Sequence, residues 1–221
     1  DFYRGRFQGS FARGLPFQEN PKTGDCRISG TCASLAGLEK ALKEEGPLEV
    51  ELAIRRICLL HGIVLLAGGI PLIYLGDEIG TLNDYSFRDD PAHQQDSRWV
   101  HRPRTDWANL ELRKNPETIA GQVYHRLLGL TRLRKQHDVF SGGELEVMPT
   151  ENPHILGFVR RNHGKRAVVL VNFSESEQYI AARLLEQYNF LQGKLRLHGI
   201  SDLTPRGGQI ALAPLDFLVI A

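Results

Sequence analysis

The stretch Gly69-Ile-Pro-Leu-Ile-Tyr-Leu-Gly-Asp-Glu-Ile-Gly80 decides the fold class. Its apolar run, Ile70 to Leu75, does not alternate, and glycines bound it on both sides. A short continuous apolar run of this kind reads as a strand covered on both faces, as in parallel sheets and barrels, and not as a half-exposed antiparallel strand. Asp77 and Glu78 follow at once, where barrel enzymes carry catalytic or orienting groups. Successive side chains on a strand point to opposite faces, so only one of the two can face a cavity. The simpler expectation for the pair is structural: a carboxylate that ties down loop amides and nearby arginines.

Working upstream, Leu35, Leu38 and Leu42 recur at helical spacing and predict a helix over Ser34 to Glu45. Gly46 and Pro47 interrupt it, and a second helix is expected from Leu48 to about Leu66. Val50, Ile54, Ile57 and Leu60 form one stripe of that helix; beyond Ile57 nearly every residue is apolar, as expected for a helix packed between layers. Residues 1–32, rich in Gly, Pro, Asn and Arg, hold no sustained period and read as a long loop.

Downstream, residues 81–115 form a polar stretch far longer than ordinary connections, which points to a functional or lid-like loop. Asn115-Pro116-Glu117 has the signature of a helix start, and Ile119, Val123, Leu127, Leu130 and Leu133 carry the helix to about His137. After Gly142-Gly143 come short strand-like runs: Leu145 to Met148, Ile155 to Val159, Ala167 to Phe173, Gln178 to Ala182, Leu195 to His198 and Gln209 to Ile220. The order is helix, helix, buried strand, long loop and helix, then an antiparallel all-β domain. It matches the tail of a (β/α)8 barrel over residues 1–140, followed by a β domain over 141–221. A full barrel takes about 250 residues, so only its last quarter to third is expected here.

The chain has 221 residues and a mass of 24.8 kDa, consistent with one and a half domains. With 27 basic and 26 acidic side chains its formal charge is +1, which offers no footprint for nucleic acid and leaves the substrate free to be neutral. Cys26, Cys32 and Cys58 are an odd count without zinc spacing, and the eight histidines are scattered, so neither a disulfide framework nor a metal site is expected. Phosphate-cradling glycine loops, Gly-x-Ser-x-Gly and His-Glu-x-x-His are missing. The apolar run Ile63 to Ile73 contains Gly68, Gly69 and Pro71 and falls short of the roughly 20 residues that span a bilayer, so no membrane partner is expected. Beginning at Asp1, with no initiator Met and no leader-like segment, the sequence reads as starting mid-protein.

One loop combines Arg98, Arg102 and Arg104 with Trp99 in Asp96-Ser-Arg-Trp-Val-His-Arg-Pro-Arg104. Guanidinium forks can donate to vicinal hydroxyls of a sugar, and an indole can cover its apolar face. Together with Gly9-Ser-Phe-Ala-Arg-Gly, Asn20-Pro-Lys-Thr-Gly-Asp-Cys-Arg-Ile-Ser-Gly30 and the strand motif continued to Asp84, this loop resembles the amylosucrase family. That family lies within the α-amylase superfamily, glycoside hydrolase family 13, whose members are retaining hydrolases and transglycosylases. The strand motif alone would say only α-amylase-like; the Thr-Gly-Asp-Cys-Arg and Asp-Ser-Arg-Trp segments point to the narrower family.

The resemblance implies the loop and helix after barrel strand 7, strand 8 at Ile70 to Leu75, its long loop, helix 8, and then the antiparallel β-sandwich called domain C. It also implies that the nucleophile after strand 4, the acid/base after strand 5 and a His-Asp-Asp motif after strand 7 all precede the point matching Asp1. No His-Asp-Asp occurs here, so no catalytic residue is expected in this chain. Adjacent Asp77 and Glu78 do not substitute, because a glycosidase pair comes from different strands and flanks one bond at about 5 to 9.5 Å. By resemblance Arg27 and Arg98 line the acceptor side of the pocket, with Asn83, Asp84 and Arg104 as further substrate-binding candidates. A structural ion pair is the rival for each arginine. The implied activity takes glucose from sucrose onto an α-1,4-glucan and releases fructose by double displacement, with no cofactor. A sucrose hydrolase or other α-amylase-type glycosidase is the alternative, and a truncated, non-catalytic or vestigial carbohydrate-binding fragment is the alternative of another class.

Overall fold

A computed structural model describes residues 1–191 and 194–221. The chain divides into two compact units, Asp1–Ile57 with Ile73–Arg126, and Cys58–Leu72 with Leu127–Ala221.

In the first unit, β1 (Leu15–Phe17) and β2 (Arg27–Ser29) form an antiparallel pair with Leu15 opposite Ser29 and Phe17 opposite Arg27. The expectation of a structureless stretch over residues 1–32 is therefore corrected. Strands of three residues are too short to print a period, and only the ladder between them defines them. Two short helices follow, α1 (Cys32–Leu35) and α2 (Leu38–Glu44), where the leucine spacing had predicted one. Gly37 separates them at φ 103°, and a Cβ there would press on Phe11 at 3.0 Å, so the chain turns where only glycine fits. Helix α3 (Pro47–Leu66) matches the expected second helix.

The decisive run Ile70 to Leu75 is not a strand. Its residues are irregular, with Ile70, Leu72 and Leu75 99%, 77% and 74% exposed. A strand, unlike a helix, has no hydrogen bonds of its own and exists only beside another strand. Among the described residues none pairs with this run. It ends in a 3-10 turn, Asp77–Ile79, flanked by Gly76 and Gly80 at φ 98° and 66°.

Local caps also structure the long polar stretch. It holds 3-10 turns at Ser86–Asp89 and Ser97–His101 and a helix, α4 (Trp107–Leu112), whose first turn is capped by Asp106 accepting from Asn109 N at 3.0 Å. Helix α5 (Ile119–Gln136) begins three residues later than Asn-Pro-Glu suggested, by the difference between Pro116 and Ile119. Asn115 instead closes a turn by accepting from Glu117 N, and Thr118 Oγ1 caps the helix from Gly121 N at 3.0 Å. A side chain at Gly121 would meet the Asn115 carbonyl at 1.8 Å, so this turn fits against the helix only because the residue is glycine.

The second unit is built on antiparallel strands: β3 (Glu144–Met148), β4 (Ile155–Asn162), β5 (Lys165–Asn172), β6 (Gln178–Ala181), then helix α6 (Ala182–Gln187), β7 (Arg196–His198), β8 (Gln209–Leu212) and β9 (Phe217–Ile220). A five-stranded sheet has the order β3-β4-β5-β9-β7, and β6 pairs with β8. The expected last strand is two strands, and α6 was not expected at all. One face of the large sheet, with Val159, Val168, Leu170, Leu218 and Ile220, packs on Ile180, Ile210 and Leu212 of the small sheet and on Leu185 of α6. The other face holds Phe158, Val169, Val171, Phe217 and Val219, also buried. Phe217 lies so close to α3 that a Cβ on Gly62 would meet its ring at 2.9 Å. With both faces covered, Ala167 to Val171 read as a continuous apolar run.

Arginines close the carboxyl end of α3. Arg160, buried in β4, donates to the carbonyls of Ala67 at 2.8 Å and of Gly142, while Arg134 donates to those of Leu65 and Gly69. Of these, the Leu65 and Ala67 carbonyls are ones that the helix end leaves open. Burial, with Arg134 nearby, pushes the Arg160 pKa down from its usual value. No helix among the described residues is long and apolar enough to cross a membrane.

Candidate functional site

Phe17 organises the site in the first unit. It stands opposite Arg27 in the β1–β2 ladder, so both side chains project from the same face. The Arg98 guanidinium lies over the Phe17 ring, 4.6 Å from its centroid. Ser97 Oγ donates to Pro16 O at 2.7 Å and fastens the 3-10 turn that carries Arg98 to β1. Phe17, which sequence reasoning had passed over, thus neighbours both arginines singled out from the sequence: Arg27 as its partner in the ladder and Arg98 over its ring.

Arg98 is also in an ion pair. Its Nε lies 2.9 and 3.1 Å from the two Asp96 oxygens and its Nη2 2.8 Å from one of them, while its backbone N–H donates to the same carboxylate at 3.0 Å. These bonds, the side chain first, hold the Asp96 carboxyl down to about 2, and Asp96 in turn raises Arg98. A guanidinium has five N–H groups, and these contacts use one edge, which leaves the Nη1 side able to donate to a ligand oxygen. The ion pair therefore orients the fork without exhausting it. Arg27 is exposed on β2. Beside them, Leu15 to Gln18 with Arg88, Gln94 and Gln95 line an open groove.

The remaining candidates occupy different surroundings. Asn83 is fully engaged: its Oδ1 accepts from Thr31 N at 2.8 Å, and its Nδ2 donates to Arg13 O at 2.6 Å and to Tyr85 Oη at 3.2 Å. It clips the start of α1 to the loop. Behind it lie Tyr85, whose hydroxyl burial pushes up, and the buried Glu39, paired with Lys43 at 2.9 Å. Asp84 accepts from Ser86 N at 2.8 Å and shapes the next turn. Arg104 borders a separate recess with Leu75, Glu78 and Asp106. Glu78 accepts from Gly76 N at 2.7 Å, the backbone-fastening role expected of that pair. Trp99 already has neighbours on its ring: His93, whose centroid is 3.7 Å away, and the Arg102 guanidinium at 5.4 Å. His93 is itself steered by Asp90, 2.6 Å from its Nδ1.

Chemically, the arrangement offers a planar cationic fork resting on an aromatic face, with a second cation on the neighbouring strand. Such a set suits neutral hydroxylated ligands or carboxylates, which it can hold by paired donors.

No family model matches the chain. Trehalose synthase of Thermus thermophilus is 31% identical over 205 residues, a match covering 73% of this chain and 20% of that protein. Glucosylglycerate phosphorylase of Escherichia coli strain K12 is 27% identical over 170 residues, covering 75% of this chain and 28% of that protein. The solved structure of Bacillus licheniformis trehalose-6-phosphate hydrolase superposes with a TM-score of 0.54 at 17% identity, over 75% of this chain and 38% of that one. The homologues are α-amylase family enzymes, and the structural neighbours are TIM-barrel members of it. The chain spans between a fifth and a third of the length of the curated relatives it matches.

Proposed function

We propose that these residues are the carboxyl-terminal part of an amylosucrase-like glucosyltransferase, which moves glucose from sucrose onto an α-1,4-glucan and releases fructose. The observation that carries the reading is that Phe17 neighbours both acceptor-side candidates, standing opposite Arg27 in the β1–β2 ladder and beneath the Arg98 guanidinium. In this reading residues 1–140 close the catalytic barrel and 141–221 form its domain C. Ile70 to Leu75 becomes barrel strand 8 once neighbouring strands supply its hydrogen bonds. The carboxylates that form and resolve the glucosyl-enzyme ester belong to the rest of the enzyme, and neither metal nor organic cofactor takes part. The arginine forks bridge adjacent hydroxyls of the fructosyl group or of the incoming glucan end and hold it against the covalent intermediate.

Arg27→Ala and Arg98→Ala in the complete enzyme test this. Each removes a charge-assisted hydrogen bond, so kcat/KM for sucrose falls about 10- to 100-fold while the melting temperature moves little. Unchanged sucrose kinetics in both variants rejects the assignment. Products separate the alternatives: lengthened glucan identifies a transferase, free glucose alone a hydrolase. The curated relatives include a synthase and a phosphorylase, so different acceptors are served within the family.

A further inference from the structure

We infer that an open groove on the second unit binds a neutral oligosaccharide, with the Tyr179 ring as its platform. In the β6–β8 pair Tyr179 lies opposite Ala211, and Ala181 opposite Gln209. Ile180, Ile210 and Leu212 belong to the core, so by the two-residue period Tyr179, Ala211 and Gln209 share the outer face. A large ring across from an alanine leaves a trough beside it. Tyr179 is 48% exposed; its hydroxyl donates to Glu177, and its carbonyl is held by Asn152 Nδ2 at 3.1 Å.

The far wall is the β7–β8 connection, which is held from below. The buried Asp216 carboxylate accepts from Ile200 N at 3.2 Å, Ser201 N at 2.9 Å and the Ser201 hydroxyl, whose oxygen accepts in turn from Ala213 N at 2.9 Å. Arg196 fixes the Ser201 carbonyl at 2.7 Å. This wall presents Asp202 and Arg206, whose mutual contact is long, 3.9 Å, and largely solvated. Asp202 Oδ1 accepts from Thr204 N at 3.0 Å and Thr204 Oγ1 at 2.9 Å, so its Oδ2 and the Arg206 guanidinium are the groups offered to a ligand. The groove has a volume of about 440 Å³, within the range of small-molecule sites.

Glu177 and Asp202 face one cation, Arg206, which disfavours a polyanion. Mixed donors and acceptors beside an exposed ring match a pyranose, whose hydroxyls both donate and accept and whose C–H face packs on an aromatic ring. The ligand class rests on the glucan reading above; a chain anchored here stays concentrated near the enzyme between transfers.

Calorimetric titration of the 221-residue chain with maltoheptaose tests the site. Saturable binding is expected. Tyr179→Ala weakens it about tenfold, whereas Tyr179→Phe, which keeps the ring, leaves it within about threefold. Circular dichroism confirms that the variants stay folded. Equal affinity of Tyr179→Ala and the parent, or no saturation by about 50 mM, overturns the inference. Tyr179-dependent binding with a complete enzyme inactive on sucrose supports this site and rejects the transferase reading. Active transfer with Tyr179-independent binding does the reverse.

Discussion

Arg98 and Asp96 lie two positions apart, and their pairing needs only a local turn. What the pairing does depends on Phe17, some eighty residues away by the numbering, whose ring gives the guanidinium a face to rest on. This is why the arginines were legible from sequence motifs and their convergence was not: a ring in an unremarkable Leu-Pro-Phe segment carries no signal until a hairpin places it opposite Arg27. The ion pair has a measurable consequence. The Asp96 carboxyl is held down at about 2, so the pair is intact above the ordinary carboxylate range near 3.8 and is lost as pH falls through about 2. In Arg98→Ala the Asp96 pKa, followed by carbon-detected NMR, should rise toward 3.8 yet stay below it, because the backbone N–H at position 98 still donates. A value unmoved by the substitution would show that the side chain does not hold it down.

At the scale of elements, the start of α5 shows how one class of capping residue can be misassigned to its neighbour. Asn115-Pro116-Glu117 has every local mark of a helix start, but Thr118, three residues on, makes the bond to the free amide. Both residues are good caps, and only the close approach of the Asn115 carbonyl to Gly121 chooses between them. Thr118→Ala should therefore cost about 1 kcal/mol in chemical denaturation, and Asn115→Ala less, since it loses only a turn bond. The opposite ranking would return the cap to Asn115. Strands in the second unit were the best-read elements, because turn residues bound short apolar runs at β4 and β6 and a continuous apolar run marks the doubly covered β5. Helix α6 escaped notice because six residues between strands are too few to establish a helical period.

For the whole molecule, the exposed run is the consequential feature. Ile70, Leu72, Tyr74 and Leu75 are each exposed, as are Leu48, Leu60 and Val64 on α3. Large apolar side chains left in water favour association. The 221-residue chain should self-associate in a concentration-dependent way by analytical ultracentrifugation and bind a hydrophobic dye. Replacing Ile70, Leu72 and Leu75 with lysine should reduce both. A monodisperse parent chain that binds no dye would contradict this.

Composition and patterning by themselves determined a chain of near-balanced charge with helices, a punctuated apolar run and a closing β-rich part, because patterning and turn chemistry are local properties. Tertiary structure alone decided three things: that Ile70 to Leu75 is not a strand without partners, that Phe17 lies opposite Arg27 and beneath Arg98, and that Tyr179 faces a walled groove. Each depends on which distant segment lies alongside, and a strand, a stacked cation and a groove exist only through that neighbour.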